Sequence, residues 1–237
     1  MSAPHFFLDD LRGERVELTG EDARHAARVL RLRPGEEITV SDGRGDVVCA
    51  RVTAASASAV EAEVIDRHSV PAPVPRVIAC PAVPKSGKLD LEVQKLTEIG
   101  VDEIRPWLAA RSVPRWDDAK AARQGDRLRQ IAREAAKQSR RAFLPEVADP
   151  GELILGDGVV VVLHEEAETR LRTGLPQPAP ASVTVVTGPE GGLTPEEVER
   201  FRVGGAAVLG LGPTVLRAET AALVGVTLVL GSYGRIG

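Results

Sequence analysis

The sequence predicts an α/β protein in two parts: a small β-barrel over residues 1–70 and a parallel sheet flanked by helices over 77–237, joined by a linker at 71–76. Three observations predict it. Short β-type runs separated by turn signals dominate the first 70 residues. Ser69-Val-Pro-Ala-Pro-Val-Pro-Arg76 has proline at alternate positions and reads as extended linker. Beyond it, β-branched runs alternate with segments of helical spacing, the pattern of a parallel sheet with helices on its faces.

The first part offers strands at His5–Leu8, Arg15–Leu18, Glu37–Ser41, Val47–Ala54 and Ala59–Ile65, with Asp42-Gly43 as one turn signal. One helix interrupts them, Glu21–Leu32, with Ala23, Ala26, Ala27 and Leu30 on one face. In the second part Val77–Ala82 is a strand. Leu89, Val93, Leu96 and Ile99 mark one face of a helix, and Ile104–Leu108 is a strand. Ala119–Arg141 is a long helix. Val159–Leu163 and Val183–Thr187 have the continuous β-branched character of buried parallel strands. Thr194–Val203 is a helix, Ala207–Leu211 a strand, and Glu219–Gly231 a nearly all-apolar helix. Gly174–Ser182 is a proline-rich loop.

Composition narrows the classes. Of 237 residues, 43% are apolar and 27% charged, as in soluble globular proteins. Cys49 and Cys80 are the only cysteines and form no CxxC pair, which excludes a disulfide framework and a multi-cysteine zinc site and suggests a reducing, cytoplasmic setting. His5, His25, His68 and His164 are scattered without metal spacing, so no metal is expected. No signal peptide is visible between Met1 and Arg15, and the apolar run Ala221–Leu230 is too short for a membrane span. Net charge is −4, but it is unevenly placed: −4 over residues 1–70, +4 over 71–150 and −4 over 151–237. Arg111–Arg141 alone holds 10 basic and 4 acidic side chains. A local basic patch can bind phosphate within an acidic protein, because screening limits distant charges to about 8–10 Å.

The strongest local signal is Thr187-Gly-Pro-Glu-Gly-Gly-Leu-Thr-Pro-Glu-Glu197, running from a buried strand through a glycine loop into a helix. Thr194 is the N-cap, Pro195 stands in the first turn, and Glu197 closes a capping box. Glycines at the carboxyl end of a parallel strand let a ligand approach the backbone. Glu190, Glu196 and Glu197 would repel an anion there, so the loop suits a neutral or cationic ligand better than a phosphate. A second glycine loop, Leu209-Gly-Leu-Gly-Pro-Thr-Val-Leu-Arg-Ala-Glu-Thr220, is not GxGxxG, and no ribose-binding acid follows at the dinucleotide spacing. Arg129, Arg133, Lys137 and Arg141 recur every fourth residue and form one basic stripe on the long helix, opposite Leu128, Ile131, Ala132 and Ala135. A solvated face is the ordinary explanation of such a stripe. No GxSxG hydrolase element is present.

Taken together, these stretches resemble the RsmE family, the bacterial 16S rRNA (uracil-N3)-methyltransferases of the SPOUT class. The resemblance spans nearly the whole chain. It is carried by Arg28-Val-Leu-Arg-Leu-Arg-Pro-Gly35, Lys85-Ser86, Gln94-Lys-Leu-Thr-Glu-Ile-Gly-Val101, Arg111-Ser-Val113 and Glu134-Ala-Ala-Lys-Gln-Ser-Arg140. Gly188-Pro-Glu-Gly-Gly192 and Leu209–Ala221 are its most specific parts. One departure is the first strand, where the family often has arginine and this chain has His5-Phe-Phe.

The resemblance implies a PUA-like β-barrel followed by a SPOUT-type α/β domain with a C-terminal trefoil knot. It implies a homodimer, a cytoplasmic enzyme with no membrane or metal partner, and 16S rRNA in the small ribosomal subunit as substrate. It also implies S-adenosylmethionine held against three loops: Leu163, His164 and Glu165; Thr187, Gly188, Pro189, Glu190, Gly191 and Gly192; and Leu209, Gly210, Leu211, Gly212 and Leu216. The uracil N3–H is a weak acid, so attack by N3 needs the imidate. Arg217, beside a cofactor loop, is the candidate to stabilise that charge, and Glu219 a candidate base. Candidate RNA contacts are Arg28, Arg31, Lys85, Lys88, Arg111, Arg129, Arg133, Lys137, Arg140 and Arg141. Two alternatives stay open: methylation of another RNA base or a ribose 2′-OH, and RNA binding without catalysis.

Overall fold

Alternation of buried and exposed residues builds the N-terminal sheet of the computed structural model, which describes residues 3–85, 87–114 and 116–237. Met1 and Ser2 of the expected first part, and Ser86 of the Lys85–Ser86 motif, lie outside the described residues. The strands are β1 (His5–Phe7), β2 (Arg15–Thr19), β3 (Glu37–Ser41), β4 (Asp46–Ala55) and β5 (Ala59–Ser69), in the order β1-β3-β4-β5-β2. β1 pairs with β3 in parallel and the other ladders are antiparallel. Register shifts at Cys49/Ala50 and Val52/Ala54 bend β4. Phe6, Leu18, Ile38, Val40, Val48 and Val60 face one core. This unit takes in the described residues up to Ala72 and also Ala136–Leu144, whereas the sequence placed its limit at 70 with no return of the chain.

The helix expected over Glu21–Leu32 is shorter. α1 (Gly20–Arg24) widens into one π-helical turn, His25–Val29, in which Leu30 N–H reaches back five residues to His25 O at 3.0 Å. The wider turn rotates the residues after it. Ala23 and Ala26 are buried as expected, but Leu30 is exposed and Leu32 takes its place in the core.

His5 is buried in this unit, its ring nitrogens 2.8 Å from Thr39 Oγ1 and 3.0 Å from Arg141 O. Burial lowers its pKa to about 4 from 6.5. Between those values the unfolded chain binds the proton and the folded one does not, so stability is lost as pH falls from 6.5 toward 4. Replacing His5 by Gln should flatten this stretch of the stability profile; equal pH slopes in denaturant titrations of the two proteins would refute it.

The second unit spans Pro73–Ala135 and Pro145–Gly237. Its strands are β6 (Arg76–Pro81), β7 (Glu103–Ile104), β8 (Glu146–Val147), β9 (Val159–Leu163), β10 (Ser182–Thr187) and β11 (Ala207–Leu209). All are parallel, in the order β11-β9-β10-β6-β7-β8. The helices are α2 (Leu89–Ile99), α3 (Asp118–Gln138), α4 (Leu171–Gly174), α5 (Pro195–Val203) and α6 (Ala218–Ser232). Val161, Val183 and Val185 pack into one core with Leu96, Leu128 and Val226. Val162, Val186 and Ile78 pack into another with Trp107 and Phe201. The sheet is therefore buried on both faces, which explains the unbroken β-branched runs.

Three expectations shift. Of the strand expected at Ile104–Leu108 only Ile104 falls in the two-residue β7, and Trp107 makes isolated bridges to Ala82 and Gly151. α3 stops at Gln138 rather than Arg141, because Arg140 takes a positive φ of 53° and turns the chain. β8 and α4 were not foreseen; they are too short to show a period. No helix among the described residues is long and apolar enough to cross a membrane.

Candidate functional site

Because β9, β10 and β11 are parallel neighbours, the three loops at their carboxyl ends open at one edge of the sheet. They border a cavity of ≈ 530 Å³. Its wall holds Leu163, His164 and Glu165 after β9, then Thr187, Gly188, Pro189, Glu190, Gly191 and Gly192 after β10. Leu216, Arg217 and Glu219, at the start of α6, close the other side with Lys88. Leu211 and Gly212 border a smaller adjoining recess with Leu163, His164 and Glu165. Leu209 is buried in the core beneath.

Each loop is held by its neighbours. Thr187 O accepts the Ala82 N–H and the Trp107 indole N–H, both at 3.1 Å. Gly192, at φ 71°, closes a turn onto Pro189 O. Arg111 Nη1 donates to Gly191 O at 2.8 Å and Leu193 O at 3.3 Å, so a residue expected to meet RNA braces the glycine loop. Thr194 and Glu197 form the capping box, and Glu197 Oε1 also accepts the Ala110 N–H at 2.8 Å. The loop after β11 is tied to the segment after β9: Gly210 N–H donates to Thr169 O, Leu171 N–H to Gly210 O, and Arg170 Nη1 to Gly212 O at 2.7 Å.

Two glycines of the second loop differ. A Cβ on Gly210 would lie 2.9 Å from Ala167 O, so the chain's own packing demands glycine there. A Cβ on Gly212 would meet nothing within 4 Å, and its φ is not positive. Glycine at 212 leaves open space beside the recess, as a site for close ligand approach does.

The charges in the wall are mixed. Among the described residues, Glu165, Glu190 and Glu219 line the wall with Lys88 and Arg217, one carboxylate in excess. Glu190 accepts the Lys85 N–H at 3.1 Å. Lys88 Nζ is bonded to Glu219 Oε1, and that bond holds the Glu219 carboxyl below its usual range. Glu219 is thus a fixed counter-charge more than a strong base, and Lys88, expected to meet RNA, is part of the cavity. Arg217 is exposed, at the N-cap of α6 with no side-chain capping bond. Among the described residues no group of three potential metal ligands occurs.

The basic stripe does not survive as one face. Arg129 is bonded to Asp126, Asp149 and Val147 O. The Lys137 side chain is largely buried against Asp22 at 2.6 Å. Arg133 is half-buried, while Arg140 and Arg141 lie beyond the helix end. The spacing is readable, and so is Asp126 three residues before Arg129, but Asp149 and Asp22 are distant in sequence and carry no local signal. Arg28 sits in the π-helical turn and Arg31 just after it at φ 57°, both exposed. Lys85 is exposed at the entrance to α2.

Sequence reasoning missed Glu92. It is 1% exposed, on the buried side of α2 between Leu89 and Leu96. Its spacing, three after Leu89 and four before Leu96, was the available signal.

A family model described as an RNA methyltransferase domain matches residues 70–230, and one described as an RNA methyltransferase PUA domain matches 18–65. The chain is 38% identical to the ribosomal RNA small subunit methyltransferase E of Mycobacterium bovis, covering 99% of this chain and 92% of that protein. It is 33% identical to the protein of that name from Bacillus subtilis, covering 90% and 88%. A crystal structure of ribosomal RNA small subunit methyltransferase E from Neisseria gonorrhoeae bound to S-adenosylmethionine superposes with a TM-score of 0.86 at 26% identity, covering 97% of this chain and 98% of that one.

Proposed function

The chain belongs to the ribosomal RNA small subunit methyltransferase E family, and on that premise we propose that it methylates N3 of a specific uridine in 16S rRNA. The observation that carries the reading is the cavity at the ends of β9, β10 and β11, with its acidic excess and its uncrowded Gly212. S-adenosylmethionine fits this lining: it is cationic at sulfur, and the loops offer backbone rather than phosphate-binding cations. When bound it supplies an electrophilic methyl group.

The chain's own residues do the rest. Leu163, Gly188–Gly192, Leu211, Gly212 and Leu216 form the bed for the cofactor, and Arg111 keeps the glycine loop in shape. Arg217 is the guanidinium placed to stabilise negative charge on the uracil oxygens as N3 loses its proton. Glu219, kept ionised by Lys88, offers a hydrogen-bond acceptor at the same wall. Arg28, Arg31, Lys85, Arg111, Arg129 and Arg140 are the exposed candidates for phosphate contact. The trefoil knot, the homodimer, the assembled small subunit as substrate and a cytoplasmic setting belong to the same proposal. For the dimer, support comes from the apolar α6, whose Leu223, Val224 and Leu228 stay only half-buried, Leu223 and Leu228 at the margin of the core.

The test is methyl transfer from labelled S-adenosylmethionine to small subunits lacking this modification, followed by nucleoside mass spectrometry. Label in 3-methyluridine is expected. Label in another nucleoside would move the acceptor, and none on subunits or free rRNA would end the reading. The two glycines provide a finer check. Gly210→Ala should lower stability by about 1–3 kcal/mol, because backbone stands in the way. Gly212→Ala should leave the melting temperature unchanged while weakening cofactor binding about tenfold or more. Unaltered binding in Gly212→Ala would remove that loop from the cofactor bed.

A further inference from the structure

Glu92 has no part in the mechanism above, yet its burial needs a reason. An apolar residue would suit its place in α2, and burying a carboxyl without full pairing is costly. Its Oε2 is shielded from solvent and has no hydrogen-bond partner among the described residues. The charges facing it come from three elements that also form the cavity wall: Lys88 one turn earlier, Glu219 on α6, and Glu190 in the loop after β10. Lys88 offsets these like charges only in part, and its ammonium is bonded to Glu219. Among the described residues, Glu165 and Arg217 complete the wall's charges. A fourth carboxylate would therefore stand behind a wall that already has one negative charge in excess.

We propose that Glu92 is a proton-exchanging counter-charge for the cofactor cavity, neutral while no cation is present and ionised when the sulfonium of the methyl donor enters. This rests on the functional reading above. Burial, with the like charges of Glu219 and Glu190, raises its pKa to about 8, so the acid form prevails at neutral pH. An added positive charge nearby favours the carboxylate. Methyl transfer breaks the S–C bond, forms the N3–C bond, leaves a neutral thioether and releases the N3 proton. Glu92 then takes up one proton, and its attraction for the spent cofactor ends. The residue thus discriminates S-adenosylmethionine from S-adenosylhomocysteine.

Calorimetry of the full chain at pH 7, in two buffers of different ionisation enthalpy, counts the protons released on binding. Wild type should release about 0.5–1 proton more than E92Q with S-adenosylmethionine, and no more than E92Q with S-adenosylhomocysteine. At pH 8, E92Q should bind S-adenosylmethionine about tenfold more weakly than wild type, the product nearly equally. E92M replaces E92Q should the latter not fold. Equal proton counts with binding intact would overturn the role of Glu92 alone; a wild type that binds no S-adenosylmethionine would overturn the functional reading as well. Unfolding gives an independent check. Since the unfolded carboxyl ionises near 4.5 and the folded one near 8, wild type should lose stability relative to E92Q across that interval and level off above it. A constant gap would also overturn the proposal.

Discussion

Arg217→Ala is expected to slow single-turnover methyl transfer about 10²–10³-fold, with the cofactor dissociation constant unchanged within about threefold. The guanidinium belongs to the cavity wall but lies at the N-cap of α6, exposed and without a capping bond. A cation at a helix N-terminus opposes the helix dipole, so its position contributes nothing to folding. Arg217→Ala should consequently melt no lower than wild type. That separates a role in the transition state from a structural one. Arg217→Lys should recover only part of the rate, because an ammonium keeps the charge but not the planar fork of donors. Quench-flow transfer to unmodified small subunits, read as 3-methyluridine, measures this. An Arg217→Ala rate within a few-fold of wild type would remove the residue from the chemistry.

Local pattern and long-range pairing divide what the sequence could disclose. The capping box at Thr194–Glu197 was legible because all its members lie within four residues. β9 and β10 were legible because burial on both faces leaves only apolar β-branched residues. The glycine loops were legible as loops, but not the different demands on Gly210 and Gly212, which depend on Ala167 O and on open space. The basic stripe shows the converse. Its spacing was readable, whereas Asp22 and Asp149, which engage Lys137 and Arg129, are brought up by the fold. Lys88 and Glu219, 131 residues apart, could be paired only by the packing of α2 on α6. Glu92 broke an apolar face, and such a local conflict is where functional residues are to be sought.

Asp102→Ala is expected to cost about 3–5 kcal/mol, the effect of leaving one member of a buried ion pair alone. Asp102 and Arg235 side chains are only 11% and 10% exposed. Asp102 accepts hydrogen bonds from Nη1 and Nη2 of Arg235 and, through Oδ2, from the Val77 N–H at 2.7 Å. Arg235 also donates to Pro75 O at 2.7 Å and Gly100 O at 3.0 Å. Gly100 ends α2 in the left-handed conformation, so one arginine joins the end of α2, the entry to β6 and the turn after α6. Asp102→Ala leaves the guanidinium buried and the Val77 amide without its acceptor. Arg235→Met leaves only the carboxylate, which keeps the Val77 bond, so it should cost less. At roughly 2–4 °C per kcal/mol for a chain of this size, Asp102→Ala should melt about 6–20 °C lower. The transfer rate of the folded fraction should stay near wild type, since neither residue reaches the cavity. A fall of under about 3 °C would mean that water replaces the pair and that α2 is fixed by its apolar face alone.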